Sequence, residues 1–448
     1  MNYPGNPYSN ATNSLPLNSG TPEEGSKLEG DKESFSNSLP NSASFVVLAS
    51  AMLLAINMYV DRAAVGQLRG SISTELNLSD WQGAYFMGAF FWAYALGQVP
   101  AATLGLRFGF RNVLVIFLVV WSGATILTGL SNSFALLIAS RLALGLAEAG
   151  AYPNANALIR GWFPLHLRGR ACSAVTFGGR LGWAISQFLT PLLEAAFASW
   201  RSVLILYGVV GILLAIPFRL LAKDAPAETT VRANEDQIAT ESTAIANHLS
   251  LSTMLLNRNL FLYSAIQFFT NIGWVFLLSD LPNYLIQVLG VAKISTGFLS
   301  TIPPLVSCVG MLFGGLVTDL MSRRFGIRMA RSVPIATMMF FCSVAYLLCP
   351  QFTNPILFVC MLSVMAVAVD FSNPSLWAFA QDVGGRNAGK VLGWGNMFGN
   401  IGAGLSPILM AKIQQSYGWN VCFYVFATCF FLAGILAMLL NAEKKISE

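Results

Sequence analysis

The sequence predicts an all-α membrane protein with twelve transmembrane helices in two pseudo-symmetric six-helix bundles. Three observations carry that expectation: too little charge for a water-facing surface, apolar runs of helix-spanning length, and a long polar stretch that divides those runs six and six. Of 448 residues, 55% are apolar and only 10% are charged, with a mean hydropathy of +0.60. A soluble domain carries about 25% charged residues, so this chain lacks the polar surface to cover its own core. The apolar runs hold about 20 residues each, the length of helix that crosses a hydrocarbon layer roughly 30 Å thick. The short alternating strands of a β-barrel do not appear.

In chain order, residues 1–43 are rich in Ser, Asn, Pro, Gly and Glu and predict a disordered cytoplasmic tail, because they cannot bury enough apolar surface to offset the entropy of ordering. The tail lacks the basic start, apolar core and small-residue cleavage site of a signal peptide. The first bundle is expected over 44–222, with spans at 45–65, 83–106, 111–131, 134–159, 171–197 and 202–221. Residues 223–257 form a polar inter-bundle linker. The second bundle is expected over 258–441, with spans at 259–279, 296–320, 332–349, 355–380, 388–412 and 420–441, followed by a cytoplasmic tail at 442–448.

Arginine and lysine set the orientation, since they are retained on the cytoplasmic side. The breaks after even-numbered spans hold fifteen of them, among them Arg107, Arg111, Arg160, Arg323, Arg324 and Arg386, whereas the breaks after odd-numbered spans hold only Arg69, Arg201, Lys293 and Lys412. Both termini are therefore expected in the cytoplasm, with the chain integral to the cytoplasmic membrane. The net charge of +5 is explained by this bias and calls for no nucleic-acid partner.

The halves also look duplicated. Gly109 and Arg111 recur as Gly326 and Arg328, and Gly178 recurs as Gly395, each at an offset of 217. Pro191 pairs with Pro407 at 216 and Trp200 with Trp419 at 219. Parallel six-helix repeats around a midplane site are one plan of a membrane transporter.

Several chemistries are excluded. The seven cysteines lie in or beside apolar runs without a C-x-x-C pair, and the two histidines, His166 and His248, fall in polar breaks, so neither a metal site nor a His-based catalytic constellation can be assembled. No cofactor is expected. Gly384 to Val391 resembles a phosphate-binding loop, but Val391 replaces the required Ser or Thr and no βαβ unit surrounds it.

Three cations fall inside spans: Arg62, Arg141 and Arg180. Each would cost roughly 2.5–3.5 kcal/mol at the centre of a lipid-facing helix, so each is expected to face a cavity or a partner. Asp61 adjoins Arg62. Glu148 follows Arg141 by seven residues, close to two helical turns, which places them on one face about 10 Å apart. One reading is a structural ion pair; the other is an anion site with a titratable carboxylate beside it. The second half offers mostly neutral polar stripes instead: Gln267, Asn271 and Trp274; Asp370, Asn373, Trp377 and Gln381; and Gly389, Gly393, Asn396 and Asn400. Amides and indole N–H groups suit the hydroxyls of a polar solute, and any one of them also suits helix packing.

Tyr59-Val60-Asp61-Arg62, the run from Arg141 through Gly145 and Glu148 to Pro153 and Trp162-Phe163-Pro164, and Asp382-Val383-Gly384-Gly385 leading to Asn396 and Gly399-Asn400 resemble the major facilitator superfamily. Within it they are similar to the anion:cation symporter branch, which includes bacterial carriers of sugar acids and related organic anions. Asp224 to Glu228 resembles the family's inter-half linker, and the resemblance covers nearly all of residues 45–440.

It implies a proton-coupled symporter in which Glu148 and Asp61 carry protons and Arg62 and Arg141 bind the anion, with Arg180 a possible second carboxylate or phosphate contact. Tyr59, Gln267, Asn271, Asn373, Trp377, Asn396 and Asn400 complete the substrate-binding set. A cytoplasmic gate is implied at Arg107, Arg111, Asp319, Arg323 and Arg324. The family's loop motif loses its acid to Leu106 after span 2 but keeps Asp319 after span 8, which implies a one-sided latch; Met58 stands where relatives commonly carry Asn.

The expected activity is import of a small organic anion (a hexuronate, aldonate, aldarate or related carboxylate) together with protons by alternating access, by a monomer in the lipid bilayer. The alternatives are an anion exchanger, a sodium-coupled phosphate or organic-anion carrier and, most distantly, a non-transporting sensor. An enzyme is not expected.

Overall fold

The computed structural model describes residues 42–163, 165–224 and 251–446, and among them no strand occurs. The first half holds α1 (Ser42–Glu75), α2 (Asp80–Phe108), α3 (Phe110–Gly129), α4 (Phe134–Ala149), α5 (Ala151–Arg160), α6 (Leu165–Phe197) and α7 (Trp200–Leu221). The second holds α8 (Leu251–Leu256), α9 (Arg258–Ser279), α10 (Leu281–Gln287), α11 (Lys293–Leu348), α12 (Pro355–Gly384), α13 (Ala388–Tyr417) and α14 (Trp419–Met438).

Eight helical stretches among the described residues are long and apolar enough to cross a membrane: α1, α3, α4 with α5, α7, α9, α11, α12 and α14. At 56 residues α11 is more than twice the necessary length, and its helical dihedrals fail at Gly326 (φ 83°, ψ 167°), so two helices meet there. That backbone conformation belongs almost exclusively to glycine. Gly109, its counterpart 217 residues earlier, has φ 84° and separates α2 from α3. The sequence offset thus marks the same turn built twice.

The remaining long helices, α2, α6 and α13, span 29, 33 and 30 residues but carry more glycine and amide. They are the helices that reach across to the other half: α2 packs on α13, and α6 packs on α11. Small residues allow this approach. A Cβ on Gly88 of α2 would come to 2.5 Å from the Gly404 carbonyl oxygen of α13, and one on Gly297 of α11 to 2.7 Å from Pro191 of α6. Within each half the packing repeats as well. Gly178 of α6 lies against Met52 of α1, and Gly395 of α13 lies against Tyr263 of α9.

An aromatic cluster ties together one end of the second half. Phe276 of α9 meets Tyr284, Tyr346, Trp419, Phe423 and Phe426, and Tyr284 stacks on Phe358 at 4.7 Å. Phe276, Tyr346, Phe358 and Phe423 are fully buried.

Some boundaries differ from expectation. α1 runs ten residues past the expected end of span 1, and span 4 is broken at Gly150 into α4 and α5. Residues 251–256, expected in the linker, form a short helix. The expected tail after residue 441 is docked. Ala442 and Ile446 are buried, the Ile446 N–H donates to the Val383 carbonyl (3.1 Å), and Asn259 Nδ2 donates to the carbonyls of Asn441 (2.8 Å) and Lys444 (3.1 Å). Ser42 and Ala43, expected in the tail, open α1, whereas residues 1–41 of that tail and 225–250 of the expected linker lie outside the described residues.

A charged chamber between the halves

The first half presents its charges from α1 and α4. Arg62 Nε and Nη2 both donate to Glu148 Oε2, at 3.0 and 2.7 Å, and both side chains are buried. A cage of Tyr59, Phe90 and Tyr94 surrounds the Arg62 guanidinium, with ring centroids 4.7–4.9 Å from Cζ. Ring faces carry partial negative charge, so the cage and the carboxylate hold the cation together.

Arg141 has no such carboxylate. It is 1% exposed, lies over Phe90 at 4.9 Å and Phe86 at 5.7 Å, and its Nε and Nη1 find no hydrogen-bond partner. The two-turn spacing sets Arg141 and Glu148 on one helix, but Glu148 reaches across to α1 instead. Nor is Asp61 the partner of Arg62. It is fully buried, and neither of its oxygens is hydrogen-bonded. Neighbouring residues on a helix point about 100° apart, so the adjacency of Asp61 and Arg62 in sequence separates their side chains.

The second half contributes from α12. Arg180 of α6 donates from Nη2 to Asp370 Oδ1 at 2.6 Å, and Asn373 Nδ2 donates to the same oxygen at 3.0 Å. The Arg180 guanidinium lies 5.1 Å from the ring of Trp274 on α9. The surroundings of the two arginines meet at Tyr59: Gly179, next to Arg180, stands so close to Tyr59 that a Cβ there would reach its ring at 2.9 Å, and Tyr59 covers Arg62.

The expected polar residues of the second half follow these faces. Gln267 and Asn271 stand against Gly399 of α13, with Asn271 Nδ2 donating to the Gln267 carbonyl at 2.8 Å. Trp377 and Gln381 are exposed on the Asp370–Asn373 stripe of α12, one and two turns beyond Asn373. Asn396 is exposed and accepts from Asn400 Nδ2 at 2.8 Å, on the side of α13 that carries Gly404 toward α2.

The family model described as the Major Facilitator Superfamily matches residues 43–407. The chain belongs to that superfamily. As a superfamily member it is a transporter and not an enzyme. Among solved structures it is similar to a bacterial homologue of the human lysosomal transporter Spinster in an inward-facing, unoccupied conformation, with a TM-score of 0.68, 18% identity, and coverage of 89% of this chain and 95% of that one. It is also similar to a D-xylose-proton symporter, with a TM-score of 0.66, 14% identity, and coverage of 89% and 96%. At these identities the likeness establishes the fold. Among curated proteins it is 28% identical to a probable galactarate/D-glucarate transporter of Bacillus subtilis, over 88% of this chain and 91% of that one. It is 28% identical to a D-galactonate transporter of Escherichia coli (90% and 96%) and 26% identical to a hexuronate transporter of Bacillus subtilis (88% and 92%).

In this superfamily member the contacts between halves run from the Arg180 level toward the end that the arginine count assigns to the outside. Arg69 Nη1 donates to Asp280 Oδ1, Lys293 Nζ donates to Glu194 Oε1 and Ser71 Oγ at 2.7 Å, and Phe188 meets Phe298 edge-on at 4.9 Å. At the opposite end the expected gate residues Arg107, Asp319, Arg323 and Arg324 are exposed. Arg111 is engaged through its backbone N–H, which donates to Asp224 Oδ1 at 2.9 Å.

The sequence reading did not single out Phe90, Tyr94 or Trp183, which lie against Arg62, Arg141 and Arg180. An aromatic residue in an apolar helix gives no signal of the cation it covers. Asp370 was visible only as one member of a polar stripe, and its pairing with α6 depends on how the halves meet.

Proposed function

We propose that this protein takes up a small organic anion of the sugar-acid class together with protons, by alternating access between its two halves. One observation carries the reading: Asp61 of α1 and Arg141 of α4 are both buried, Asp61 with neither oxygen hydrogen-bonded and Arg141 without a carboxylate partner. Three arginines (Arg62, Arg141 and Arg180) and three acids (Asp61, Glu148 and Asp370) lie within the spans, so the set is neutral when all six are ionised. An unpaired buried carboxylate costs several kcal/mol, and a proton on Asp61 removes that cost. It also leaves the chamber one positive charge in excess, at Arg141. An anion arriving at Arg141 restores neutrality, so anion and proton each favour the other's binding, which is the reciprocity that coupling requires.

Glu148 is the main proton carrier in this reading and Asp61 the second. A substrate carboxylate that competes for Arg62 releases Glu148, whose Oε1 has no partner of its own. Tyr59, Gln267, Asn271, Asn396 and Asn400 are the hydroxyl contacts. The clasp of Arg69, Asp280, Lys293 and Glu194 supports a conformation closed at the outer end and open at the cytoplasmic end, where Arg107, Asp319, Arg323 and Arg324 would latch when the halves rock. The names of the curated relatives support the substrate class.

A thermal-shift screen of the purified protein tests the reading, using hexuronates, aldonates, aldarates, simple dicarboxylates and phosphate at two pH values. The expected result is stabilisation by one or more sugar acids that grows at the lower pH. Stabilisation by phosphate alone, or equal stabilisation at both pH values, would contradict it.

A further inference from the structure

Arg180 and Asp370 stand apart from the other chamber charges in one respect: they belong to different halves. Asp370 is fully buried, Arg180 is 12% exposed, and the bond between them is 2.6 Å long. The pair is incompletely satisfied on both sides. Arg180 Nε and Asp370 Oδ2 are buried without hydrogen-bond partners, so the guanidinium fork grips the carboxylate through one contact where a bidentate fit offers two. Trp274 and Trp183, at 5.1 and 5.7 Å from Arg180 Cζ, bound the site on the guanidinium side and meet each other edge-on at 5.7 Å. Tyr59 and Gly179 connect it to Arg62 and Glu148.

Each paired arginine therefore holds one carboxylate that a ligand could replace, and Tyr59 lies between the two pairs. Resting on the sugar-acid reading above, we infer that Arg180 is the docking cation for a second acidic group of the substrate, and that Asp370 occupies it only in the empty chamber. The substrate class is then a diacid. Its first carboxylate meets Arg141 and Arg62, and its second displaces Asp370 from Arg180, making the bidentate contact that Asp370 leaves unmade. The hydroxylated chain between them passes Tyr59.

A monoacid engages the first pair only and leaves the Arg180–Asp370 bond intact. Because that bond joins α6 of one half to α12 of the other, its displacement also removes a charge pair that resists separation of the halves at the chamber. Asp370 keeps its hydrogen bond from Asn373 and gains water as the halves part.

The test compares binding of galactarate, a six-carbon diacid, and galactonate, the matching monoacid, to purified wild type, Arg180→Gln and Asp370→Asn. Arg180→Gln is expected to weaken the diacid by about tenfold or more while changing the monoacid less than about twofold, as for loss of one buried charge contact. Asp370→Asn is expected to bind the diacid at least as tightly as wild type, since it removes the competitor and keeps the cation. Equal loss of both acids in Arg180→Gln, or weaker diacid binding in Asp370→Asn, overturns the inference. Should Arg180→Gln fail to fold, the Arg180→Gln/Asp370→Asn double variant leaves no unpaired charge, and the same diacid-to-monoacid ratio decides the matter. Wild type that binds neither acid overturns the sugar-acid reading as well, whereas wild type that binds both, with no selective loss in either variant, overturns this inference alone.

Discussion

Glu148→Gln is expected to abolish accumulation of substrate driven by a pH gradient in proteoliposomes, while counterflow of labelled substrate against unlabelled substrate survives. The amide keeps the shape of the side chain and can still accept a hydrogen bond from Arg62, which in the wild type donates from both Nε and Nη2 to Glu148 Oε2. What it cannot do is take up a proton. Arg62 would then carry an uncompensated charge at all times, so the chamber would remain attractive to an anion whether or not protons were available. Net uptake would follow the substrate gradient alone. Gradient-driven accumulation that persisted in Glu148→Gln would remove Glu148 from the proton path and leave Asp61 as the sole carrier.

Arg141→Gln is expected to cost at least about 2 kcal/mol of substrate affinity, roughly 30-fold, with little loss of thermal stability. The reasoning turns on the contrast between two buried arginines. Removing Arg62 strands Glu148 as an unpaired buried carboxylate, a change that typically costs about 3–5 kcal/mol of stability. Removing Arg141 strands no hydrogen-bonded partner, because Glu148 Oε2 is already held by Arg62 and the Arg141 Nε and Nη1 bond to nothing. A charge buried at such expense without a structural partner is best explained by a ligand that supplies one. Titration of Arg141→Gln with the acid found in the thermal-shift screen, together with its melting temperature in detergent, checks both halves of the prediction. A large fall in melting temperature with unchanged affinity would mark Arg141 as a packing residue.

Hydropathy and glycine spacing made most of the fold legible, because lipid forces a spanning helix to satisfy its own backbone and to present about 20 apolar residues. The duplication was legible for a similar reason. A turn that needs φ near +84° admits little but glycine, so Gly109 and Gly326 hold their spacing of 217. The break at Gly150 and the docking of Ile446 were not legible, since each depends on what happens to lie beside it: Phe117 and Ala101 at Gly150, and the Val383 carbonyl at Ile446.

The candidate site divides in the same way. Arg62, Arg141, Arg180, Asp61 and Glu148 announced themselves as charges in apolar spans. Their partners did not, because spacing within one helix says nothing of which neighbouring helix a long side chain will reach. Arg141 and Glu148 share a helix, yet Glu148 bonds to α1, and the acid that holds Arg180 comes from the other half of the molecule.

The central claim is that an anion and a proton occupy the chamber together, and proton movement during substrate entry tests it most directly. Wild-type protein is reconstituted into vesicles loaded with a pH-sensitive dye, with equal pH on both sides, and the stabilising sugar acid is added outside. The account predicts acidification of the lumen that tracks substrate entry and is lost in Glu148→Gln. Substrate entry at the same rate with no change in luminal pH would contradict it.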